Sequence, residues 1–385
     1  MLKDYIPQMD VLHVTEACGG GVRRHLKLIV PELVNRGFRC GVCGFGHRVE
    51  EDFLYDLQAY QKIDCMTELW PFNHGNLLGC LGYLRHFRRL IRQWKPAVIH
   101  AHSSMAGFVC RLAKNALPGV RIVYSPHAFA LHPSLPFLVR NSISCIENRQ
   151  AHLTDAYAFV GRSEIQDANR LGLPPEQFHL IENGLPADFT KTLYTREDAR
   201  RALGIPADAL MAVIPCRLSR QKGLDQVIRA ISLMDEKCSR LKFMFCGDGP
   251  EKENLQAMAR KMNVENRILF QGAVEHLAVL LPAFDLAILP SLYEGLSYVL
   301  LECLAAGIPL VVSDILANVP RPELRDILHV FPVGDSGKLA DTLSSCLLEQ
   351  ERTSIRAQLG IEFMFNNFQL DNQIQKLSNL YKMLM

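Results

Sequence analysis

Short apolar runs alternate with longer segments of helical periodicity along the first half of the chain. The runs are typical of buried parallel strands, and they cover residues 11–15, 39–45, 97–101, 121–125, 156–160 and 179–182. Between them, apolar positions recur at helical spacing in residues 22–36, 77–94 and 105–116. This alternation predicts an α/β domain with a parallel sheet covered on both faces.

The alternation stops at residues 185–200, which are rich in turn and polar residues, and then begins again. The second set of predicted strands covers 211–216, 241–246, 268–271, 286–289 and 309–313, with helices at 224–234 and 251–262. We therefore predict an N-terminal Rossmann-like domain of residues 1–185 and a C-terminal one of residues 186–366. Two such doubly wound domains would face each other across a deep cleft at the carboxyl ends of their strands, where open α/β sheets bind ligands.

Length and composition agree with two soluble globular domains. The chain has 385 residues, of which 49% are hydrophobic and 21% charged, and this length exceeds what one ordinary core holds. Its formal net charge of +2 does not argue for a nucleic-acid partner. No apolar run approaches the roughly 20 residues of a membrane span, and the start of the chain lacks the apolar core of a signal peptide. We expect a cytoplasmic protein.

The twelve cysteines lie scattered through apolar stretches, where they behave as small buried hydrophobes. The one closely spaced pair, Cys40 and Cys43, lies in a predicted strand, and strand residues three apart point to opposite faces. A zinc site built on this pair is therefore disfavoured. We predict no metal and no other cofactor.

Two glutamates eight residues apart, Glu294 and Glu302, stand out in the stretch that follows predicted strand 286–289. Glu294 lies at a turn, and on one helix the two carboxylates would lie on roughly one side, about 12 Å apart along the axis. The N–H groups at the start of that helix form an anion site beside the first carboxylate. This arrangement suits a nucleotide sugar, which has hydroxyls at both ends and a diphosphate between them. A surface acid followed by a solvated helix acid is the alternative.

Three glycines, Gly19–Gly21, follow the first predicted strand and open a helix. Glycine lets the backbone approach a ligand closely, and a helix N-terminus attracts phosphate. The register does not fit G-x-G-x-x-G because Arg24 stands at the third glycine position, which disfavours a dinucleotide cofactor, and there is no P-loop sequence. A plain tight turn is the alternative.

Histidines mark the ends of two further strands, His100 and His102 in one and His127 after the next. Polar side chains at successive strand ends are candidates for a site, although satisfied structural histidines fit the pattern equally well. A metal at His100 and His102 is disfavoured because no acidic residue stands near them in the sequence.

Two cations, Arg217 and Lys222, flank the loop that leaves the first strand of the second domain. Such a pair can clamp a diphosphate and neutralise charge that builds on a leaving group, and a solvated basic turn is the alternative. The turn that contains Gly247 and Gly249 ends the next strand and can line the same cleft.

Taken together, these segments resemble glycosyltransferase family 4, the retaining enzymes of the GT-B fold. The most specific match is the family's E-x7-E signature, at Glu294 and Glu302. The other matches are Gly19, Gly20, Gly21 and His25, the hinge Asn183-Gly184, the cations Arg217 and Lys222, the turn Gly247-Asp248-Gly249-Pro250 and the final helix. In the family that helix crosses back onto the N-terminal domain, so we assign residues 367–385 to it.

The resemblance implies a role for each matched position. Glu294 would contact the donor sugar's hydroxyls and Glu302 those of the ribose. His127 would lie near the transferred sugar, and the Gly19–Gly21 loop near the donor–acceptor junction. The implied diphosphate contacts are Arg217, Lys222 and the backbone near Gly295 and Leu296. The implied donor-binding set also includes His25, Asn183, Gly247, Gly249 and Ser297.

Two positions depart from the family pattern. The loop at residues 313–323 lacks the Gly-Gly turn that members often carry, which leaves its ligand contact and the alignment of Glu323 open. Ser297 stands where many members have proline or glycine, and we interpret this change as benign.

We therefore expect a retaining hexosyltransferase that uses a nucleotide sugar and a glycan or lipid-linked acceptor in bacterial surface or extracellular polysaccharide biosynthesis, without a metal. A nucleotide-sugar epimerase of GT-B-like fold and a non-catalytic nucleotide-sugar-binding partner are the alternatives. Predicted helix 77–94 is amphipathic and carries Arg85, Arg88, Arg89 and Arg92. It is suited to peripheral contact with the anionic inner face of a membrane, whereas an ordinary covering helix is the other interpretation.

Overall fold

The chain forms two compact units. A computed structural model describes residues 7–46, 49, 51–71, 77–114, 119–129, 131, 136–235 and 238–385. The first unit comprises Met1–Asn183 together with Leu370–Met385, and the second comprises Gly184–Gln369.

The first unit is built on a parallel sheet of seven strands among its described residues. These strands are β1 (Met9–Thr15), β2 (Cys40–Gly46), β3 (Met66–Pro71), β4 (Pro96–His102), β5 (Arg121–Ser125), β6 (Ala156–Phe159) and β7 (Phe178–Leu180). The helices between them are α1 (Gly20–Asn35), α2 (Glu51–Gln61), α3 (Leu77–Trp94), α4 (Ser104–Lys114), α5 (Phe137–Gln150) and α6 (Arg162–Leu171). The strand order β3-β2-β1-β4-β5-β6-β7 is doubly wound and reverses between β1 and β4.

Both faces of this sheet are buried, which explains the continuous apolar runs of its central strands. Cys40 and Cys43 show the alternation: Cys40 packs in the hydrophobic cluster on one face and Cys43 in the cluster on the other. The final helix, α15 (Leu370–Leu384), packs on α1 and buries Ile374, Leu377 and Tyr381 in the same cluster as Cys40. The C-terminal segment therefore completes the core of the first unit.

The second unit has a parallel sheet of six strands. Its strands are β8 (Leu210–Pro215), β9 (Leu241–Cys246), β10 (Ile268–Gly272), β11 (Leu286–Leu289), β12 (Leu310–Ser313) and β13 (His329–Phe331). Its helices are α7 (Arg196–Leu203), α8 (Leu224–Leu233), α9 (Lys252–Lys261), α10 (Leu277–Leu280), α11 (Tyr298–Ala305), α12 (Leu324–Ile327), α13 (Ser336–Leu348) and α14 (Gln350–Asn367). The order β10-β9-β8-β11-β12-β13 reverses between β8 and β11.

The predicted α/β class and parallel, Rossmann-like sheets are confirmed in both units. The sequence pattern did not predict the strands β3 and β13 or, among helices of eight or more residues, α2, α5, α6 and α7. β3 and β13 each form one edge of their sheet. Glu68 interrupts β3 and β13 has only three residues, so neither leaves a continuous apolar run. α5 begins with exposed Phe137 and Leu138, which obscures its amphipathic pattern.

The helix that carries Glu302 begins later than predicted. α11 starts at Tyr298, because Ser297 before it has extended backbone with φ −74° and ψ 131°. Glu294 consequently lies in the turn between β11 and α11, and only Glu302 is helical. The predicted separation of the two carboxylates along one continuous helix is therefore wrong.

Candidate active site

The strand ends of the second unit bring Lys222 and Glu294 together. Lys222 comes from the loop after β8 and Glu294 from the loop after β11, and these are the strands between which the order reverses. The crevice at such a reversal is where doubly wound sheets bind ligands. The Nζ of Lys222 forms an ion pair with Oε1 of Glu294, and both side chains are mostly buried.

Neighbouring polar groups hold the Glu294 carboxylate in place. The Ser291 hydroxyl donates to Oε1 at 3.0 Å, and the Gln221 amide donates to Oε2 at 3.4 Å. Burial lowers the pKa of Lys222, but the adjacent Glu294 carboxylate outweighs that effect and the net pKa is raised. Lys222 is therefore a cation at neutral pH.

A pocket of the second unit surrounds this ion pair. Its lining includes Cys216, Lys222, Ser291, Glu294, Ser297 and Asn318. Burial raises the pKa of Cys216 to about 12, so its thiol stays protonated. The pocket thus offers a cation, a carboxylate and neutral polar groups within one crevice, which is the chemistry that a phosphorylated, hydroxyl-bearing ligand requires.

Asn318 supports the pocket from the loop after β12, and sequence reasoning missed it. Its amide donates to the carbonyl oxygens of Leu289 (3.3 Å) and Ser313 (3.2 Å), and it is 1% exposed. Asn318 thereby holds the loop at residues 313–323, which lacks the Gly-Gly turn of the family pattern, against the ends of β11 and β12. A polar residue isolated among apolar ones in a strand-end loop was the available signal.

The remaining predicted positions of the second unit have separate surroundings. Arg217 is exposed and forms no ion pair with a described residue, so it does not join Lys222 at Glu294. Leu296 and Glu302 are buried, Glu302 at 8% exposure. Because α11 starts at Tyr298, Gly295 and Leu296 lie in the turn before the helix and not at its N-terminus. The expectation that these two residues begin the helix is therefore wrong, whereas their implied backbone contact with a diphosphate stays a prediction.

Three glycines let the loops of this site pack closely. Gly223 has φ +58°, and a Cβ there would lie 2.4 Å from the carbonyl oxygen of Pro290. A Cβ on Gly247 would lie 2.0 Å from the carbonyl oxygen of Cys216, and one on Gly249 would lie 2.4 Å from that of Leu218. Gly247 and Gly249 thus support the loop after β8 by backbone packing.

The strand ends of the first unit gather five imidazoles. His13 lies in β1, opposite His100 of β4 in the sheet register, and His102 ends β4. His127 follows β5 and His25 lies in α1. Ring centroids are 4.0 Å apart for His100 and His102 and 4.8 Å apart for His25 and His127. Sequence reasoning singled out four of these residues and missed His13, which interrupts an otherwise apolar strand.

All five imidazoles are neutral at pH 7. Burial lowers the pKa of His13 to about 3 and that of His25 to about 4. It also holds the pKa values of His100, His102 and His127 well below the usual range. Neutral imidazoles have a lone pair for a cation, and the cluster contains two trios whose nitrogen atoms lie within 4.8 Å of one another: His13, His100 and His102, and His25, His102 and His127.

His25 and Asn183, both predicted to bind donor, meet each other inside the first unit. His25 Nδ1 lies 3.0 Å from the Asn183 amide oxygen, and Gln373 of α15 donates to the same oxygen at 3.2 Å. Both predicted residues are buried. Their contacts join α1, the last residue of the N-terminal segment and the returning C-terminal helix.

The backbone at His127 is strained. His127 and Ala128 have φ of 52° and 92°, a region that non-glycine residues rarely adopt. The buried Glu164 carboxylate accepts from the Ala128 N–H at 2.8 Å and from the Val160 N–H at 2.6 Å, which stabilises the turn. Burial raises the pKa of Glu164 to about 7. Strain of this kind clusters at functional sites.

Gly19–Gly21 forms an open helix start. Gly19 is the N-cap of α1 and Gly20 has φ +58°, while a Cβ on Gly20 or Gly21 would meet no atom within 4 Å. Gly20 and Gly21 are exposed just after β1, which agrees with a close approach of the backbone to a ligand.

Comparison with known proteins identifies this architecture. The family described as "Glycosyltransferase Family 4" matches residues 19–189, and "Glycosyl transferases group 1" matches residues 195–358. The chain belongs to glycosyltransferase family 4. It is therefore a transferase, and its two Rossmann-like units are those of the GT-B fold.

Relatives in sequence are glycosyltransferases, and solved structures share the fold. The chain is 28% identical to the putative glycosyltransferase EpsF of Bacillus subtilis over 61% of its own length and 62% of EpsF, less than two thirds of that relative. It is 25% identical to a UDP-Gal:alpha-D-GlcNAc-diphosphoundecaprenol alpha-1,3-galactosyltransferase of Escherichia coli over 76% of the chain and 77% of the relative. HepE of Anabaena, solved with UDP-glucose, shares the fold at a TM-score of 0.82 and 19% identity, covering 98% of this chain and all of HepE.

Proposed function

We propose that this family 4 enzyme transfers a hexose-type sugar from a nucleotide-diphosphate sugar to a glycan or lipid-linked acceptor, with retention at the anomeric carbon. The observation that carries the proposal is the Lys222–Glu294 ion pair at the reversal point of the second sheet. A cation and a carboxylate held side by side can bind a phosphate and a sugar hydroxyl of one ligand.

The site supports catalysis by positioning and electrostatics. As the bond from the sugar's anomeric carbon to the diphosphate breaks, negative charge grows on the departing phosphate oxygen, and Lys222 would stabilise it. The acceptor hydroxyl would form its bond on the same face and give its proton to that oxygen. The resemblance to family 4 implies that neither a protein nucleophile nor a metal takes part.

The relatives support a nucleotide-sugar donor and a lipid-linked acceptor. The Escherichia coli relative is named for a UDP-galactose donor and a diphosphoundecaprenol-linked acceptor, and HepE was solved with UDP-glucose. We infer the same two classes of substrate for this chain, in bacterial surface or extracellular polysaccharide biosynthesis on the cytoplasmic side.

The test is product formation by wild-type protein and by Glu294→Ala. A panel of nucleotide sugars is first screened by thermal shift, because a ligand that binds only the folded state raises the melting temperature. Nucleotide diphosphate release is then measured with and without acceptor, and the coupling constant of the product's anomeric proton reports retention. Glu294→Ala should abolish transfer and leave the fold intact, whereas Glu253→Ala, an exposed acid in α9, should not alter the rate.

Each alternative gives a distinct result. An epimerase would change the donor without forming a glycosylated product, and a binding partner would bind donor without any turnover, even slow hydrolysis. Wild-type turnover by Glu294→Ala would contradict the assignment of the site. An inverted anomeric configuration would contradict retention alone.

We also propose that α3 makes peripheral contact with the inner face of the membrane. Arg85, Arg89 and Arg92 are exposed on this helix. Arg88 instead donates to the Leu112 carbonyl oxygen at 3.3 Å, so it stabilises the packing of α3. None of the described helices combines the length and apolar character needed to cross a bilayer. Exposed arginines on an amphipathic helix are attracted to anionic headgroups.

Sedimentation with anionic vesicles tests this contact. Changing Arg85, Arg89 and Arg92 to glutamate should abolish co-sedimentation while leaving donor binding unaltered. The matched control changes three exposed arginines of the second unit, Arg201, Arg220 and Arg229, by the same total charge. Equal co-sedimentation of the α3 variant and wild type would exclude α3 as the contact.

A further inference from the structure

Three imidazoles of the first unit form one hydrogen-bonded row. His13 Nδ1 lies 3.1 Å from His102 Nε2, and His102 Nδ1 lies 3.0 Å from His127 Nε2. His13 and His102 are fully buried, whereas His127, at the end of the row, is partly exposed. The row therefore runs from the interior of the sheet to the surface at its carboxyl edge.

The protons of this row are coupled. A neutral imidazole has one N–H donor and one acceptor nitrogen, and both nitrogens of His102 are engaged. If His102 accepts from His13 it must donate to His127, and if it accepts from His127 it must donate to His13. The position of the proton on His127 is consequently decided by His13.

His100 stays outside the row because its own proton is placed by other partners. The Ser125 hydroxyl donates to the Ala158 carbonyl oxygen at 2.5 Å, so it can only accept from His100 Nε2, at 2.8 Å. His100 Nδ1 then accepts from the Tyr381 hydroxyl at 2.6 Å. Both nitrogens of His100 are thereby satisfied without a histidine partner.

His13, at the inner end of the row, determines the direction of the hydrogen bonds along it. His13 Nε2 is buried and has no hydrogen-bond partner among the described residues. A proton on that nitrogen would be an orphaned buried donor, which is rare in proteins and costs on the order of 1–3 kcal/mol. The proton of His13 therefore belongs on Nδ1, where it is donated to His102, and His102 donates in turn to His127 Nε2.

We propose that His13 and His102 are positioning residues that hold His127 as its Nδ1–H tautomer. His127 then presents a hydrogen-bond donor to a ligand, and the chemical group that fits it is an oxygen acceptor such as a sugar hydroxyl. The contact with sugar rests on the proposed function, whereas the tautomer does not. His127 in this state is a donor and cannot serve as a proton-accepting base.

Imidazole nitrogen NMR of the full-length protein, labelled with ¹⁵N-histidine, reads the tautomer directly. His127 is assigned from the resonance lost in His127→Gln. We expect Nδ1–H at pH 7, although free imidazole side chains prefer the Nε2–H form. An Nε2–H or doubly protonated His127 would overturn the proposal. A shift of His25, His102 and His127 on addition of Zn²⁺, with one equivalent bound, would overturn it in favour of a metal site.

Substitution of His13 separates positioning from packing. His13→Asn retains a donor close to the Nδ1 position and should keep the tautomer and the transfer rate. His13→Leu removes the donor at similar volume and should let His127 revert to Nε2–H. We expect kcat to fall about 10-fold or more, the range for losing a partner that orients a metal-binding histidine. The control His152→Leu changes an exposed histidine of the same unit. If both His13 variants lose activity equally with unchanged tautomers, His13 has only a structural role.

The NMR spectrum tests the tautomer of His127, and the transfer assay tests the proposed function, so either hypothesis can be contradicted without the other. An Nδ1–H signal in a protein that transfers no sugar would contradict the proposed function and leave the row intact. Transfer by a wild-type protein whose His127 carries Nε2–H would contradict the row and leave the function intact. Should His13→Leu not fold, the wild-type spectrum still decides the tautomer.

Discussion

Around the point where the strand order reverses, the first unit carries five neutral imidazoles and the second carries the Lys222–Glu294 ion pair. The two sheets have the same doubly wound order in this region. Their polar groups differ because burial acts differently on each set: the histidines have no counter-charge and become neutral, whereas Lys222 keeps its charge beside a carboxylate.

The difference suggests a division of labour between the strand ends. Neutral imidazoles locked in hydrogen bonds place donors and acceptors with fixed directions, which suits the orientation of hydroxyl groups. A paired cation places charge, which suits the stabilisation of a leaving phosphate. The first set should be sensitive to protonation, and the second to removal of one partner.

The largest effect is expected for removal of the cation. Lys222→Ala should slow transfer by about 10²–10³-fold, the scale of losing one electrostatic stabiliser of the transition state. The measurement is kcat for nucleotide diphosphate release in the presence of acceptor. Arg220→Ala is the control from the same loop, because that side chain is 85% exposed and pairs with Glu251 at the surface.

Two outcomes would weaken the comparison. If Lys222→Ala changes the melting temperature but not kcat, Lys222 is part of a solvated basic turn and does not stabilise the leaving phosphate. Equal losses for Lys222→Ala and Arg220→Ala would mean that the loop needs positive charge but not this ion pair.

The second effect is acid sensitivity of the first unit. Below pH 6.5 the unfolded chain binds protons at His13 and His25, while the folded protein does not until about pH 3 and pH 4. Stability is therefore lost as pH falls, by about 2 kcal/mol for each of the two between pH 7 and pH 5. The remaining three histidines of the cluster act in the same direction. Glu164, with its pKa raised to about 7, takes up a proton on folding and offsets about 2 kcal/mol of the loss.

Tryptophan fluorescence isolates this effect, because both tryptophans of the chain, Trp70 and Trp94, lie in the first unit. Urea unfolding followed at this signal should show a net loss of more than about 2 kcal/mol from pH 7 to pH 5. Among the described histidines of the second unit, His329 has a lowered pKa. The stability of this unit, measured by hydrogen exchange of β8 amides, should therefore fall less between pH 7 and pH 5 than that of the first unit. A first unit as stable at pH 5 as at pH 7 would contradict the neutral cluster.

The strand-end chemistry was predictable from the sequence where it depended on topology. Lys222 and Glu294 each follow an apolar run, and the carboxyl ends of neighbouring parallel strands meet at one edge, so their approach could be expected. The same logic applies to His102 and His127, which lie at the ends of the neighbouring strands β4 and β5. This prediction required only the alternation of strands and helices and the identity of the residues that follow each strand.

Other parts of the site depend on geometry that spacing does not encode. The start of α11 depends on the extended backbone of Ser297, whose side chain makes no cap hydrogen bond. Asn318 is held by carbonyl oxygens of two different strands. His13 gains its role only from the sheet register opposite β4. Each of these requires the relative placement of segments distant in sequence.

The smallest expected effect is a difference in stability between alanine substitutions at one glycine of each unit. Gly20 and Gly223 both have φ +58°, so alanine at either position is strained by about 1–2 kcal/mol. A Cβ on Gly20 meets nothing within 4 Å, whereas one on Gly223 would lie 2.4 Å from the Pro290 carbonyl oxygen. Gly223→Ala should therefore destabilise its own unit by about 1–3 kcal/mol more than Gly20→Ala does, the usual range for overpacking.

Hydrogen exchange of β1 and β8 amides measures the two losses by one method. Gly223→Ala should also reduce kcat, because Pro290 and Lys222 lie on the two loops that bring the ion pair together. Equal destabilisation by both alanines would show that the Pro290 carbonyl moves aside without cost, and the close packing of the two loops would then not be needed to hold Lys222 against Glu294. If Gly223→Ala loses more stability than Gly20→Ala but keeps full activity, the stability of the second unit does not determine the positions of Lys222 and Glu294.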